Sequence, residues 1–370
     1  MQTRPCVETS PGKRNLLRRL ARRFKIRPML ETVAFRPAAS ESPARERYVR
    51  AFRCMLLARV LDDKFASLYR AGKIHGGVFL GRGQEALSVA TGINLRAGDI
   101  FAPLIRDGAG RLAFGEPVLD AVRTYLGSPL GPMRGRDGNV HRGRPLEGLL
   151  PMISHLGAMI PMVNGNLMAK RFKGESGVVG ATCIGDGATS TGAFHEGLNQ
   201  AAVERLPLVL VIADNQYAYS TPTSLQFACA SLADKAAGYG VQAHAVDGTD
   251  FQECMAVLTD AVQRAREGQG PQIVVARLLR LCGHGEHDDA SYVDPKLKQC
   301  GLGRDCLKVA EEFLLKEGMA DRAAVGAWRS EVIQEVEQAV ATVQREGSPD
   351  PFAQQWSALS TSRLMEARLD

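Results

Sequence analysis

Residues 178–222 read VVGATCIGDGATSTGAFHEGLNQAAVERLPLVLVIADNQYAYSTP, and this stretch decides the fold. An apolar run, 178–184, ends on Gly185-Asp186-Gly187. A helical segment over 192–205 follows, and then a second apolar run, 206–213, which ends just before Asn215. In a parallel sheet both runs finish on the same edge, where ligands bind. The spacing then brings the carboxylate of Asp186 and the amide of Asn215 together. One carboxylate and one amide oxygen suit a hard divalent cation, and Mg²⁺ completes its shell with waters and phosphate oxygens. The glycines would let a phosphate approach main-chain N–H groups at the helix start near Thr189 to Ala193. The alternative for a lone GDG is an ordinary tight turn. The spaced asparagine and the tyrosine two residues beyond it favour the ligand site.

Around this core the pattern alternates. Strands are expected at 207–213, near 241–246 and at 272–279, with helices at 192–205 and 250–267. Such alternation predicts an α/β fold with a doubly wound parallel sheet flanked by helices. Helices are also expected at 46–73 and, after a turn, within 81–93. Residues 131–150 read as a loop. From about 304 the chain is helical and amphipathic, over 304–318 and 321–347. The organisation expected is a basic flexible extension, 1–45, followed by one α/β domain, 46–370.

Composition narrows the function. The formal charge of +6 sits in the extension: residues 1–30 hold nine Lys and Arg against Glu8, so the rest of the chain is net −2. A near-neutral body without a recognition module argues against nucleic acid as partner. No apolar run reaches the length of a membrane span. Eight scattered cysteines without a CxxC pair read as reduced buried thiols, and the expected location is cytoplasmic. The arm, with a possible basic amphipathic helix at 15–26, leaves a mitochondrial-type presequence as the alternative. No GxGxxG opens a βαβ unit, which disfavours a nicotinamide enzyme.

The GDG and asparagine segments resemble the thiamine diphosphate motif. From about Arg53 to Phe352 the chain is similar to alpha subunits of the decarboxylating component of 2-oxo acid dehydrogenases, the family of pyruvate, branched-chain 2-oxo acid and acetoin enzymes. The resemblance implies the diphosphate-binding half of a thiamine diphosphate fold. It places Mg²⁺ on the side chains of Asp186 and Asn215 and the main-chain carbonyl of Tyr217. It places the diphosphate at Gly185, Gly187, Ala188 and Arg106, and the aminopyrimidine at Ser154 and Leu156. It assigns His284, four residues after Arg280 in LLRLCGHGEHDDASY (278–292), to the thiazolium and the reacting carbon. Activity would then be decarboxylation of a small 2-oxo acid and acyl transfer to a lipoyl-bearing acyltransferase. The glutamate that the cofactor's pyrimidine needs would come from a beta subunit, in an α₂β₂ assembly.

Some positions depart from the pattern. Ile105 and Phe79 replace a tyrosine and a histidine of relatives, and an apolar Phe79 suits a larger apolar keto acid. Gly285 replaces a phosphorylatable serine. Val293 follows Tyr292 where an arginine is usual, which leaves open how the loop is pinned. His141 falls in a family-like GRDGNVH segment without an assigned role, and His287 reads as structural. A metal site at His284, Glu286, His287 and Asp288 is disfavoured by ligand spacing. An acetoin-cleaving enzyme and a non-catalytic scaffold that kept the fold are the alternatives.

Overall fold

The computed structural model describes residues 43–138 and 140–350. Most of the basic extension, including the helix expected at 15–26, lies outside the described residues. Helix α1, Pro43–Arg70, opens with proline in its first turn and Glu46 near its N-terminus, both favoured there. It starts three residues earlier than the pattern suggests and stops just before Gly72, whose φ of 67° no helix accommodates.

The remaining elements follow in order: α2 (Glu85–Ile93), β1 (Ile100–Ala102), α3 (Gly108–Phe114), α4 (Val118–Tyr125), α5 (Met159–Phe172), β2 (Gly180–Gly185), α6 (Gly192–Val203) and β3 (Leu208–Asp214). A short hairpin, β4 (Tyr217–Ala218) and β5 (Thr221–Pro222), comes next. Then come β6 (Gln242–Asp247), α7 (Phe251–Arg266), β7 (Gln272–Arg277), α8 (Pro295–Gln299), α9 (Cys306–Lys316) and α10 (Arg322–Val343). The loop expected over 131–150 has one 3₁₀ turn, Pro145–Glu147, and Leu149 pairs with Phe101.

Five strands form one parallel sheet in the order β1-β2-β3-β7-β6. Alternate residues of each strand enter opposite cores. Val209, Val211, Val274 and Ala276 pack with α1, α2, α7 and α9, whereas Leu208, Leu210, Ile212, Ile273 and Val275 pack with α5 and α6. Helices therefore cover both faces, as a parallel sheet requires. Burying each large side chain stabilises by about 1.5–3 kcal/mol. Aspartates cap α7 and α9: Asp250 accepts from Glu253 N–H, and Asp305 from Leu307 N–H. Helix α10 docks Val336, Val340 and Val343 against α1 and α4.

Because all five strands run parallel, their carboxyl ends share one edge. Arg106 follows β1, Asp186 follows β2, Asn215 follows β3, and Arg280 and His284 follow β7.

Candidate functional site

Asp186–Ser190 forms a 3₁₀ turn, and α6 begins at Gly192, where the sequence places the helix, with the Thr191 side chain accepting from Phe194 N–H. The two glycines also have separate jobs. A Cβ on Gly187 would lie 2.6 Å from Cβ of Ala218, so this glycine admits the β4–β5 hairpin. A Cβ on Gly185 would meet open space. The Gly185 side is open to an approaching ligand. Lys235 closes the back of the turn, its Nζ donating to the Thr189 carbonyl at 2.7 Å.

Asp186 is 1% exposed. Its carboxylate accepts from Gln226 Nε2 at 2.8 Å. Burial pushes its pKa up to about 6, and the neighbouring Asp214 carboxylate adds to the rise. Asn215 donates through Nδ2 to Gln84 Oε1 at 3.2 Å, while its Oδ1 receives only a long 3.4 Å contact from Tyr217 N–H. The Tyr217 carbonyl likewise has a 3.4 Å contact from Arg280 Nη1. A buried carboxylate and two oxygens with weak partners fit a hard cation. Among the described residues no three His, Cys, Asp or Glu cluster at metal-ligand spacing, so a cation here would rely on amide and carbonyl oxygen beside Asp186.

The 278–292 loop is pinned through its own tyrosine. Arg280 Nη2 donates to the Tyr219 carbonyl at 2.9 Å and to Tyr292 Oη at 2.6 Å. Tyr292 in turn donates to Asp288 Oδ2 at 2.6 Å, and that oxygen also accepts from His284 N–H at 2.5 Å. Against the cost of burial, these two bonds, a third from Ala290 N–H and the Arg280 charge hold the Asp288 carboxyl down at about 2. This network supplies the anchorage that the missing arginine after Tyr292 left open. His287, exposed on the same loop, lies beside Gly285, where a Cβ would stand 2.7 Å from its ring.

His284 stands between two aromatic rings, Phe79 edge-on at 5.5 Å and Tyr219 at 4.4 Å between centroids. Arg106 is buried below it, donating to the carbonyls of His284 at 2.6 Å and Leu80 at 2.8 Å, with Nη2 3.4 Å from His284 Nδ1. Burial, Arg106 and Arg280 lower the His284 pKa to about 4. An imidazole titrating near neutrality is therefore not what the structure holds; the ring is neutral at pH 7. Burial likewise lowers Arg106 to about 10, still well above neutrality.

Ser154 and Leu156 lie at the rim of the same edge. Gly157, with φ of 78°, abuts the α6 cap, since a Cβ there would lie 2.7 Å from Thr191 Oγ1. Leu156 is 54% exposed. His141, whose part the sequence left open, links Asp137 at 2.7 Å through Nδ1 to Ser154 Oγ at 2.9 Å through Nε2.

Two residues beside the site escape sequence reading. Gln226 is one. The other is Asp62, a carboxyl inside α1 that accepts from Gly81 N–H at 2.7 Å and lines a cavity of about 30 Å³ with Arg106, Glu116 and Tyr125. Burial pushes Asp62 up to about 7. A raised folded pKa means that the native chain keeps a proton the unfolded chain has lost. That contribution is complete below the ordinary carboxylate range and is lost as pH rises through about 7. Asp62→Asn, neutral throughout, should therefore gain on wild type by about 2–3 kcal/mol between pH 5 and pH 8. Denaturant unfolding at the two pH values measures it, and a pH-independent difference would contradict the buried acid.

A family model described as "Dehydrogenase E1 component" matches residues 52–352. The chain is 32% identical over 308 residues to the alpha subunit of acetoin:2,6-dichlorophenolindophenol oxidoreductase of Cupriavidus necator, covering 83% of this chain and 92% of that one. It is 32% identical over 274 residues to the 2-oxoisovalerate dehydrogenase alpha subunit of Bacillus subtilis, covering 73% and 82%. It is 28% identical over 309 residues to the pyruvate dehydrogenase E1 alpha subunit of Rickettsia prowazekii, covering 84% and 94%.

Proposed function

The chain belongs to the dehydrogenase E1 component family as an alpha subunit of a 2-oxo acid dehydrogenase, and from that premise we propose how its strand edge serves the reaction. Thiamine diphosphate binds with Mg²⁺ held by Asp186, Asn215 and the Tyr217 carbonyl. Gly185, Ala188 and the Arg106 charge receive the diphosphate. Gly187 acts indirectly, by admitting the hairpin that carries Tyr217. Ser154 and Leu156 face the aminopyrimidine, and the Asp137–His141 pair orients the Ser154 hydroxyl. When bound, the cofactor supplies the electron sink for decarboxylation. The protein supplies orientation, water exclusion and a proton relay at His284. The observation that carries this reading is the buried Asp186 carboxylate beside weakly engaged oxygens at the carboxyl ends of β2 and β3.

A beta subunit completes the site in an α₂β₂ assembly, and a lipoyl-bearing acyltransferase takes the acyl group. The setting is cytoplasmic. Phe79 packed against His284 favours a 2-oxo acid with a larger apolar side chain over pyruvate. Acetoin is the second substrate reading, supported by the relatives named for it. The test is co-expression with the candidate beta subunit, then a panel of 2-oxo acids and acetoin with an artificial electron acceptor. Turnover is expected from the pair and none from the purified chain alone. Decarboxylation by the lone chain would refute the shared site.

A further inference from the structure

We propose that Gln226 is a further positioning residue of the cation site, fixing Asp186 through its amide nitrogen and holding a cation-bound water through its amide oxygen. The inference rests on the metal–diphosphate reading above. Gln226 follows the β4–β5 hairpin and lies against the Asp186–Ser190 turn. Its Nε2 has two acceptors, Asp186 Oδ2 at 2.8 Å and the Thr221 carbonyl at 2.8 Å. Both are oxygens without a hydrogen to give, so the nitrogen end of the amide is fixed by its surroundings. Ser190 Oγ donates to the Gln226 carbonyl at 3.1 Å and holds the main chain in place.

The other end of the amide is the informative one. Gln226 Oε1 is buried and has no hydrogen-bond partner. Buried acceptors are almost always paired, and an orphan calls for a cause. This oxygen lies over the turn, 3.6 Å from where a Cβ on Gly187 would stand. It needs a donor there. A diphosphate at neutral pH offers only acceptor oxygens, so it cannot be the direct partner. Mg²⁺ usually keeps several waters when it binds a carboxylate and a phosphate, and each such water is a strong donor. One side chain thus aims the Asp186 carboxylate and receives the cation's water. Groups that orient metal ligands typically carry 10–100-fold of metal affinity.

The test uses the full chain assembled with its beta subunit. Mg²⁺ is titrated at fixed thiamine diphosphate, with cofactor binding read by calorimetry, for wild type, Q226M, Q226E and Asp186→Asn. Q226M keeps the length but removes donor and acceptor. Its half-saturating Mg²⁺ should rise about 10–100-fold, while KM for the 2-oxo acid stays within about twofold. Q226E sets a second carboxylate against Asp186, so added Mg²⁺ should raise its melting temperature more than it raises that of wild type. Should Q226M fail to fold, Q226E decides alone. Unchanged Mg²⁺ dependence in both, with Asp186→Asn impaired, would overturn the role of Gln226 and leave it a hairpin prop. Unchanged dependence in Asp186→Asn as well would sink the cation site itself.

Discussion

Asp186→Ala is expected to abolish magnesium-dependent binding of thiamine diphosphate, raising its Kd by at least about two orders of magnitude. The scale follows from charge. A diphosphate entering a buried site needs neutralisation, and an unpaired buried charge costs several kcal/mol. Each 1.4 kcal/mol is tenfold in affinity. Asp186 is the carboxylate best placed to recruit the cation, because it is 1% exposed at the carboxyl end of β2 and its hydrogen-bonding side chain is a neutral glutamine. Asp214 sits nearby, but it is held by Gln216 and lies 4.0 Å from Arg277. The alanine variant should keep its fold, since the alanine removes a buried charge and Gln226 Nε2 keeps the Thr221 carbonyl as acceptor. Calorimetric titration with cofactor in the presence and absence of Mg²⁺ measures the effect. A variant that keeps the wild-type affinity and its dependence on the metal would remove Asp186 from the site.

The residues that sequence reading finds and those it misses differ in how their information is carried. Strands β2, β3 and β7 announce themselves as apolar runs because helices cover both faces of the sheet. Asp186, Asn215 and His284 are visible because each follows such a run, and parallel strands bring their ends to one edge. Strand β1 is only Ile100–Ala102, too short to show a period. Helix α5, MIPMVNGNLMAKRF, contains proline and glycine and is half exposed, so its apolar stripe is blurred. Asp62 and Gln226 illustrate another limit. Asp62 looks like one charge on an amphipathic helix, and Gln226 reaches Asp186 from 40 residues away. Neither has a local pattern, because what defines each is a partner supplied by the tertiary fold.

His284→Ala should lower acyl transfer to the lipoyl group by roughly two to four orders of magnitude, the usual scale for a positioned acid or base, with cofactor affinity little changed. Affinity is spared because the ring carries no charge at neutral pH and the proposed cation site lies at Asp186, Asn215 and Tyr217. The environment also specifies how the ring works. Burial, Arg106 and Arg280 keep its pKa near 4, so it does not enter the step as a charged acid. Nδ1 faces Arg106 Nη2 at 3.4 Å, which resists protonation of that nitrogen while the site lacks negative charge. A departing lipoyl thiolate brings that negative charge. Its arrival offsets the two guanidinium groups, so the neutral imidazole takes a proton from solvent water and passes one to sulfur. Decarboxylation followed with an artificial acceptor creates no thiolate and should fall much less. Arg280, Tyr292 and Asp288 pin the loop without the imidazole, and the His284 main-chain N–H bond to Asp288 survives in the alanine variant, so the loss belongs to the imidazole and not to a collapsed loop. Single-turnover acylation of a free lipoyl domain, run beside the artificial-acceptor assay, separates the two steps. Equal losses in both would assign His284 to an earlier step, and wild-type rates in both would leave it a loop residue.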